Sequence, residues 1–121
     1  MEVFVGYTGT GVIFCNKSGY FRGEYPKIAF VSAEGGKITW YQQKSKLPEE
    51  VVNEITFQSK IFHDELVEKV GKMSENDAYF FLLDKIPDDM VTYVMTELGG
   101  TKKERIKYMC DILGGKNPVK R

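Results

Sequence analysis

The feature that most constrains this sequence is a change of hydrophobic period at Pro48. Within residues 1–43, apolar and polar side chains alternate in short runs separated by glycine-containing turns, which is typical of β-strands. After Pro48, apolar residues recur every three or four positions, as in helices that bury one face. We therefore expect an α+β fold, in which an N-terminal antiparallel β-meander of about four strands precedes a helical C-terminal half with one long helix.

Four runs of the N-terminal part are predicted to be strands. They are Glu2–Tyr7, Val12–Cys15, Lys27–Ala33 and Lys37–Gln43. The last two runs are joined by Glu34-Gly35-Gly36, and a short glycine-rich connection between two strands is a strong hairpin signal. Whether Tyr20–Tyr25 adds a fifth strand is left open by its composition.

The long helix is predicted to begin at Pro48, because proline fits the first turn and the following Glu49 and Glu50 suit the helix dipole. Its apolar positions are Val52, Ile55, Phe62, Leu66, Val70 and Met73. A continuous helix over Pro48–Met73 is longer than the core of one small domain requires, so we expect a homo-oligomer. The alternative is a break near Thr56–Gln58, where β-branched and aromatic residues cluster.

Three shorter helices are predicted after the long one. Ser74 is placed to cap the first, Pro87 begins the second, and Thr101 with Glu104 forms a capping box at the start of the third. Gly114-Gly115 then ends the helical pattern. We expect residues 1–115 to form a single domain and residues 116–121 to be a basic flexible tail.

Composition indicates a soluble folded protein that is neither secreted nor inserted in a membrane. Hydrophobic residues make up 42% of the 121 residues, and the mean hydropathy is −0.31. No apolar run approaches about 18 residues, and the N-terminus lacks the basic and apolar regions of a signal peptide. Cys15 and Cys110 are expected to be buried free thiols, which favours a cytoplasmic location.

No set of catalytic or metal-binding residues is visible in the sequence. The single histidine, His63, could pair with Cys15 in principle, but no spacing brings the two together. The motifs CxxC, HxxxH and HxxE are absent. The paired acids Glu49-Glu50 and Asp88-Asp89 each follow a proline at a helix start, where the helix dipole accounts for them. We therefore expect a protein that is not an enzyme and that uses no metal and no cofactor.

The leading functional hypothesis is a binding protein that captures a small anionic ligand, for which a nucleotide is one candidate, or a protein partner. Capture would act by sequestration, as in inhibitors of viral or mobile-element origin. Glycine backbone and threonine hydroxyls can approach an anion, arginine can bind phosphate, and an aromatic ring can stack on a base. The residues predicted for this site are Gly9, Thr10, Gly11, Arg22, Trp40 and Arg105.

Two alternatives place the function elsewhere in the chain. Residues 95–110 resemble a helix-turn-helix, which would read DNA with Lys102, Lys103, Arg105 and Lys107. Nucleic acid is nevertheless the less favoured partner, because residues 48–98, with twelve acidic and four basic residues, would repel a duplex. The second alternative is an acidic inhibitor that offers the negative surface of residues 49–97 to an enzyme acting on nucleic acid.

Overall fold

The N-terminal part of the chain forms one antiparallel sheet. The computed structural model describes residues 2–17 and 26–116. The strands are β1 Val3–Thr8, β2 Gly11–Asn16, β3 Lys27–Ser32 and β4 Ile38–Trp40, and they lie in the spatial order β1-β2-β3-β4. Each strand pairs antiparallel with the next, so the predicted four-stranded meander is confirmed. The possible strand Tyr20–Tyr25 lies outside the described residues.

The second half of the chain is helical, as predicted. The helices are α1 Glu49–Gly71, α2 Glu75–Leu83, α3 Asp88–Thr92 and α4 Lys102–Leu113. A π-helical turn, Tyr93–Glu97, continues α3, and a 3₁₀ turn, Lys44–Lys46, precedes α1. The predicted caps are confirmed: the Ser74 hydroxyl accepts a hydrogen bond from the backbone N–H of Asp77, and Thr101 forms a capping box with Glu104.

Helix α1 is continuous over 23 residues, a length of about 35 Å. The alternative of two helices separated near Thr56–Gln58 is therefore wrong. Thr56 is accommodated within the helix because its hydroxyl donates to the carbonyl oxygen of Val52, at 3.0 Å, instead of competing for a turn. The helix ends at Gly71, two residues before the predicted end at Met73.

The buried side chains form two hydrophobic clusters, and α1 contributes to both. Val51 and Ile55, in the first half of α1, pack against the sheet residues Val12, Phe14, Ile28, Ala29 and Val31. In the second half, Leu66 and Val70 pack against side chains of α2, the α3 segment and α4, among them Ala78, Leu82, Val94, Met109 and Cys110. Each large apolar side chain buried in this way contributes about 1.5–3 kcal/mol to the free energy of unfolding.

This division accounts for the length of α1 within a single chain. The first buried position of the helix is Val51, whereas the sequence pattern assigned that place to Val52, which is half-buried. Because both halves of the helix are used in the chain's own packing, the length of α1 no longer requires a partner subunit. The homo-oligomer remains a prediction.

The β3–β4 turn docks on the helices through two glycines with left-handed backbone conformations. Gly35 has φ +104° and lies against Leu113 of α4, whereas Gly36 has φ +88° and lies against Ser59 of α1. The Ser59 hydroxyl donates a hydrogen bond to the carbonyl oxygen of Gly36. The turn therefore fixes the sheet against α1 and the end of α4.

Both cysteines are buried, and each is a free thiol. In the parts of the chain that the structure describes, no helix has both the length and the apolar character needed to cross a membrane.

Candidate functional site

The glycine-threonine turn predicted to bind an anion uses its donors within the turn. It connects β1 to β2, and the Thr8 hydroxyl accepts hydrogen bonds from the backbone N–H groups of Thr10 and Gly11, at 3.1 and 3.0 Å. A Cβ atom on Gly11 would lie 2.2 Å from the carbonyl oxygen of Val31, so this glycine allows close packing of two strands. A Cβ atom on Gly9 would meet nothing within 4 Å. The local geometry favours a structural role for the turn.

Trp40 lies away from this turn, on the edge strand β4. Trp40 pairs with Ala29 of β3. Ala29 in turn pairs with Phe14 of β2, which lies three residues after Gly11. Two strand spacings and three residues along the sheet separate Trp40 from Gly11 by roughly 14 Å. The Trp40 ring packs on the sheet cluster, and the Lys44 ammonium lies 5.8 Å from its centre.

Arg105 belongs to a third location, on α4. Its Nε atom is buried and makes no hydrogen bond with the described part of the chain. Arg22 lies outside the described residues. The structure therefore does not bring the glycine-threonine turn, Trp40 and Arg105 into one site.

The four basic residues of the predicted DNA-binding helix point in different directions. The Lys102 ammonium donates to Asn76 Oδ1 at 2.5 Å and lies over the Tyr79 ring, so it docks α4 on α2. Lys103 and Lys107, one helical turn apart, line a groove on another side of α4, and Arg105 is half-buried. The helix-turn-helix function remains a prediction, although these residues do not form one basic stripe.

The acidic residues predicted to form an inhibitory surface are concentrated at helix starts. Six of them lie in first turns: Glu49 and Glu50 in α1, Glu75 and Asp77 in α2, and Asp88 and Asp89 in α3. Carboxylates at these positions stabilise the positive end of a helix dipole. Half of the twelve acidic residues in the range 49–97 therefore have a local role at a helix start. The inhibitor function remains a prediction.

In the described part of the chain, a groove lies between the second half of α1 and α4, beside the start of α2, and we call it the α1–α4 groove. It is open on one side and has a volume of about 560 Å³. Its apolar walls are built by Val67, Val70, Met73, Ala78, Ile106 and Cys110. Its polar lining consists of His63, Glu75, Lys103, Lys107, Asp111 and Lys116. An apolar cavity of this size with a few charged groups at its rim is typical of sites for small molecules.

Asp111 is the centre of the charges at one end of the groove. Its carboxylate lies 3.2 Å from the Lys107 ammonium, 3.9 Å from that of Lys116, and 3.8 Å from His63 Nε2. The Asp111 side chain is only 15% exposed, so these contacts are partly shielded from water. One internal carboxylate therefore holds three nitrogen-bearing side chains together near the rim.

His63 closes this end of the groove from the α1 side. Its Nε2 atom is buried and makes no hydrogen bond within residues 2–17 and 26–116. A Cβ atom on Gly114 would lie 2.8 Å from the His63 ring, so only glycine lets the end of α4 pack so closely on it. No sequence pattern predicts that His63 lies beside Asp111 and Gly114, because the contact joins residues about fifty positions apart.

Cys110, not Cys15, is the thiol that shares a cavity with the histidine. Burial, together with the neighbouring Asp111 carboxylate, raises the pKa of Cys110 from its ordinary 9.0 to about 11. Burial also raises the pKa of Cys15, which lies on the sheet. Because the thiolate is the reactive form, a neutral Cys110 is a poor nucleophile and serves as part of the apolar wall.

No group of three or more His, Cys, Asp or Glu side chains in the described ranges is arranged to hold a metal ion.

Comparison of the chain with protein-family models, curated proteins and solved structures gives no match.

Proposed function

We propose that this protein binds a small anionic ligand with an apolar part in the α1–α4 groove and holds it without changing it chemically. The observation that carries the proposal is a cavity of about 560 Å³ with aliphatic walls and three lysines at its rim. The type of function is the one that the sequence suggested, but the site differs from the predicted set and shares none of its ligand-binding residues.

The apolar walls supply the affinity in this proposal. Val67 is a large apolar residue near the C-terminal end of α1, and it is 46% exposed. Together with the half-buried Ile106 it offers apolar surface at the groove, and the buried Val70 lies beneath them in the wall. Removing such surface from water yields about 25 cal/mol for each Å² buried, which favours an occupant with an apolar part.

The lysines supply the preference for an anion. Lys103 makes no ion pair with any residue of the described ranges, and it lies one helical turn before Lys107. An anion between the two would contact both ammonium groups, next to apolar walls where water screens charge less than in bulk solvent. The raised pKa of Cys110 makes this thiol a poor nucleophile, so in this proposal it belongs to the apolar wall of a capture site.

The test is fluorescence titration with anilinonaphthalene sulfonate, a dye that joins a sulfonate to apolar rings. We expect saturable binding at one site per chain. The double variant Lys103→Ala/Lys107→Ala should bind the dye about tenfold more weakly, because two exposed charge contacts are worth about 1–2 kcal/mol together.

A matched control is the double variant Lys60→Ala/Lys72→Ala. Both lysines are exposed, and each pairs with a carboxylate one turn away, as Lys107 does, but neither lines the groove. The control should keep wild-type affinity, and all proteins should melt cooperatively, since loosely folded states also bind this dye. An equal loss of affinity in both double variants, or no saturable binding to the wild type, would refute the proposal.

A further inference from the structure

The walls of the α1–α4 groove are aliphatic. No Phe, Tyr or Trp is among the described residues that line it, and Val67, Val70 and Ile106 supply branched apolar side chains instead. A nucleotide base gains much of its binding energy by stacking on an aromatic ring or an arginine plane. The described lining holds no arginine plane, and its one aromatic ring, that of His63, lies at the end of the groove beside Asp111 and Gly114. The groove therefore favours a flexible alkyl chain over a base.

The charge balance of the rim fits a ligand with one negative charge. Three lysines and two carboxylates line the groove, which leaves one net positive charge when His63 is neutral. Lys107 and Lys116 already form ion pairs with Asp111, whereas Lys103 has no ion-pair partner among the described residues. A single carboxylate would balance this rim, whereas a nucleoside polyphosphate would bring several negative charges near Glu75 and Asp111.

The groove is also elongated. His63 lies beside Asp111 and Gly114 at the end of α4, while Lys102 at its start reaches Asn76, just beyond the end of α1. The two helices therefore run in opposite directions. The α1 side of the groove extends from His63 to Gly71, a length of about 12 Å. This shape suits an extended chain.

From these three properties we infer that the ligand is a medium-chain aliphatic carboxylate. Its carboxylate lies between Lys103 and Lys107, and its alkyl chain lies along Val67, Val70 and Ile106. The inference rests on the proposed function, because it names the chemical class of the anion that the groove captures.

The experiment measures displacement of the dye from the wild-type protein by hexanoate, octanoate and decanoate, with adenosine monophosphate as the nucleotide. Each methylene group that enters the groove should raise the affinity about fourfold. Decanoate should therefore compete far better than hexanoate, and the nucleotide should compete poorly. A carboxylate affinity that does not depend on chain length would overturn the inference.

Charge and position are tested separately. Decanol has the same chain without the carboxylate, and it should bind at least tenfold more weakly than decanoate. Val67→Trp fills the groove from a half-exposed position, so it should abolish decanoate binding, whereas Lys60→Trp, on the same helix outside the groove, should not. Equal decanoate binding by the two tryptophan variants, or decanol binding as tightly as decanoate, would count decisively against the inference.

The outcomes distinguish this inference from the function on which it rests. If the dye binds and the nucleotide, but not decanoate, displaces it, the groove captures an anion of another class. The proposed function then stands and the inference is wrong. If the dye does not bind at all, the proposed function fails, and the inference fails with it.

Discussion

At the scale of single residues, two adjacent glycines determine how the sheet meets the helices. Gly35 and Gly36 both have positive φ angles, which side chains other than glycine rarely adopt. At Gly36 the space is also closed, since a Cβ atom would lie 2.2 Å from the backbone oxygen of Ser59. Helix backbone cannot move aside as a flexible side chain can. This position therefore requires glycine for two independent reasons.

We expect Gly36→Ala to lower the free energy of unfolding by about 2 kcal/mol or more, because it combines backbone strain with a backbone clash. Urea denaturation measures the loss. Gly9→Ala is the matched control: Gly9 also lies in a hairpin turn, but its φ is not positive and a Cβ atom would meet nothing within 4 Å. Its effect should stay within about 0.5 kcal/mol. Equal losses in the two variants would contradict this account of the turn.

At the scale of elements, α4 carries one wall of the groove, and a capping box fixes where it begins. The backbone N–H of Glu104 donates to the Thr101 hydroxyl at 3.2 Å, and the backbone N–H of Thr101 donates to the Glu104 carboxylate at 3.3 Å. Gly100, with φ +97°, turns the chain into this start. The first turn of α4 holds Lys103, so the cap also positions a residue of the proposed site.

Thr101→Ala should lower the free energy of unfolding by about 1 kcal/mol, since it leaves the backbone N–H of Glu104 without its hydroxyl partner. Thr101→Ser keeps the hydroxyl and should remain close to the wild type. Thermal melts followed by circular dichroism compare the three proteins. A serine variant as unstable as the alanine variant would show that the methyl group, and not the cap, stabilises this helix end.

Local signals in the sequence were sufficient to predict most of the fold. Glycine pairs mark the β3–β4 turn and the end of α4, proline and acidic residues mark the start of α1, and Ser74 and Thr101 mark two caps. Each signal acts within a few residues of itself, so no tertiary contact was needed to interpret it. The boundaries that shifted, such as the end of α1 at Gly71, depend on packing.

The groove could not be predicted in the same way, because its parts are far apart in the chain. His63 and Val67 come from α1, whereas Lys107 and Asp111 come from α4. The sequence predicts Lys103 and Lys107 as DNA contacts, because a basic helix does not show which neighbour it packs against. The composition of the glycine-threonine turn predicts an anion site, but the Thr8 hydroxyl already accepts hydrogen bonds from the backbone N–H groups of Thr10 and Gly11.

At the scale of the whole molecule, α1 joins two hydrophobic clusters. Ile55 lies in the sheet cluster and Leu66 in the helical cluster, three turns further along the same helix. The β3–β4 turn makes a second connection, through Ser59 and Leu113. With two connections between them, we expect the clusters to unfold together as one domain, as predicted for residues 1–115.

Leu82→Ala tests this coupling. Leu82 is fully buried in the helical cluster, so its truncation should lower the free energy of unfolding by about 2–5 kcal/mol. Trp40 is the single tryptophan and packs on the sheet cluster, so its fluorescence reports on that part of the molecule. In urea, Trp40 fluorescence and helical circular dichroism should shift to the same lower midpoint. A fluorescence midpoint that stays unchanged while the circular dichroism midpoint falls would show two independently unfolding units.

The arrangement of α1 and α4 also affects the order in which the parts of the protein fold during synthesis. The sheet and α1 are made first, and about forty further residues, up to the end of α4 at Leu113, must leave the ribosome before α4 can dock and supply the second wall of the groove. Until then Val67 and Val70 face solvent or the growing chain. A ligand that needs both walls would bind only the finished arrangement and would draw α4 into place by mass action. Ligand binding would then stabilise the docked position of α4, so that binding and the last step of folding are coupled.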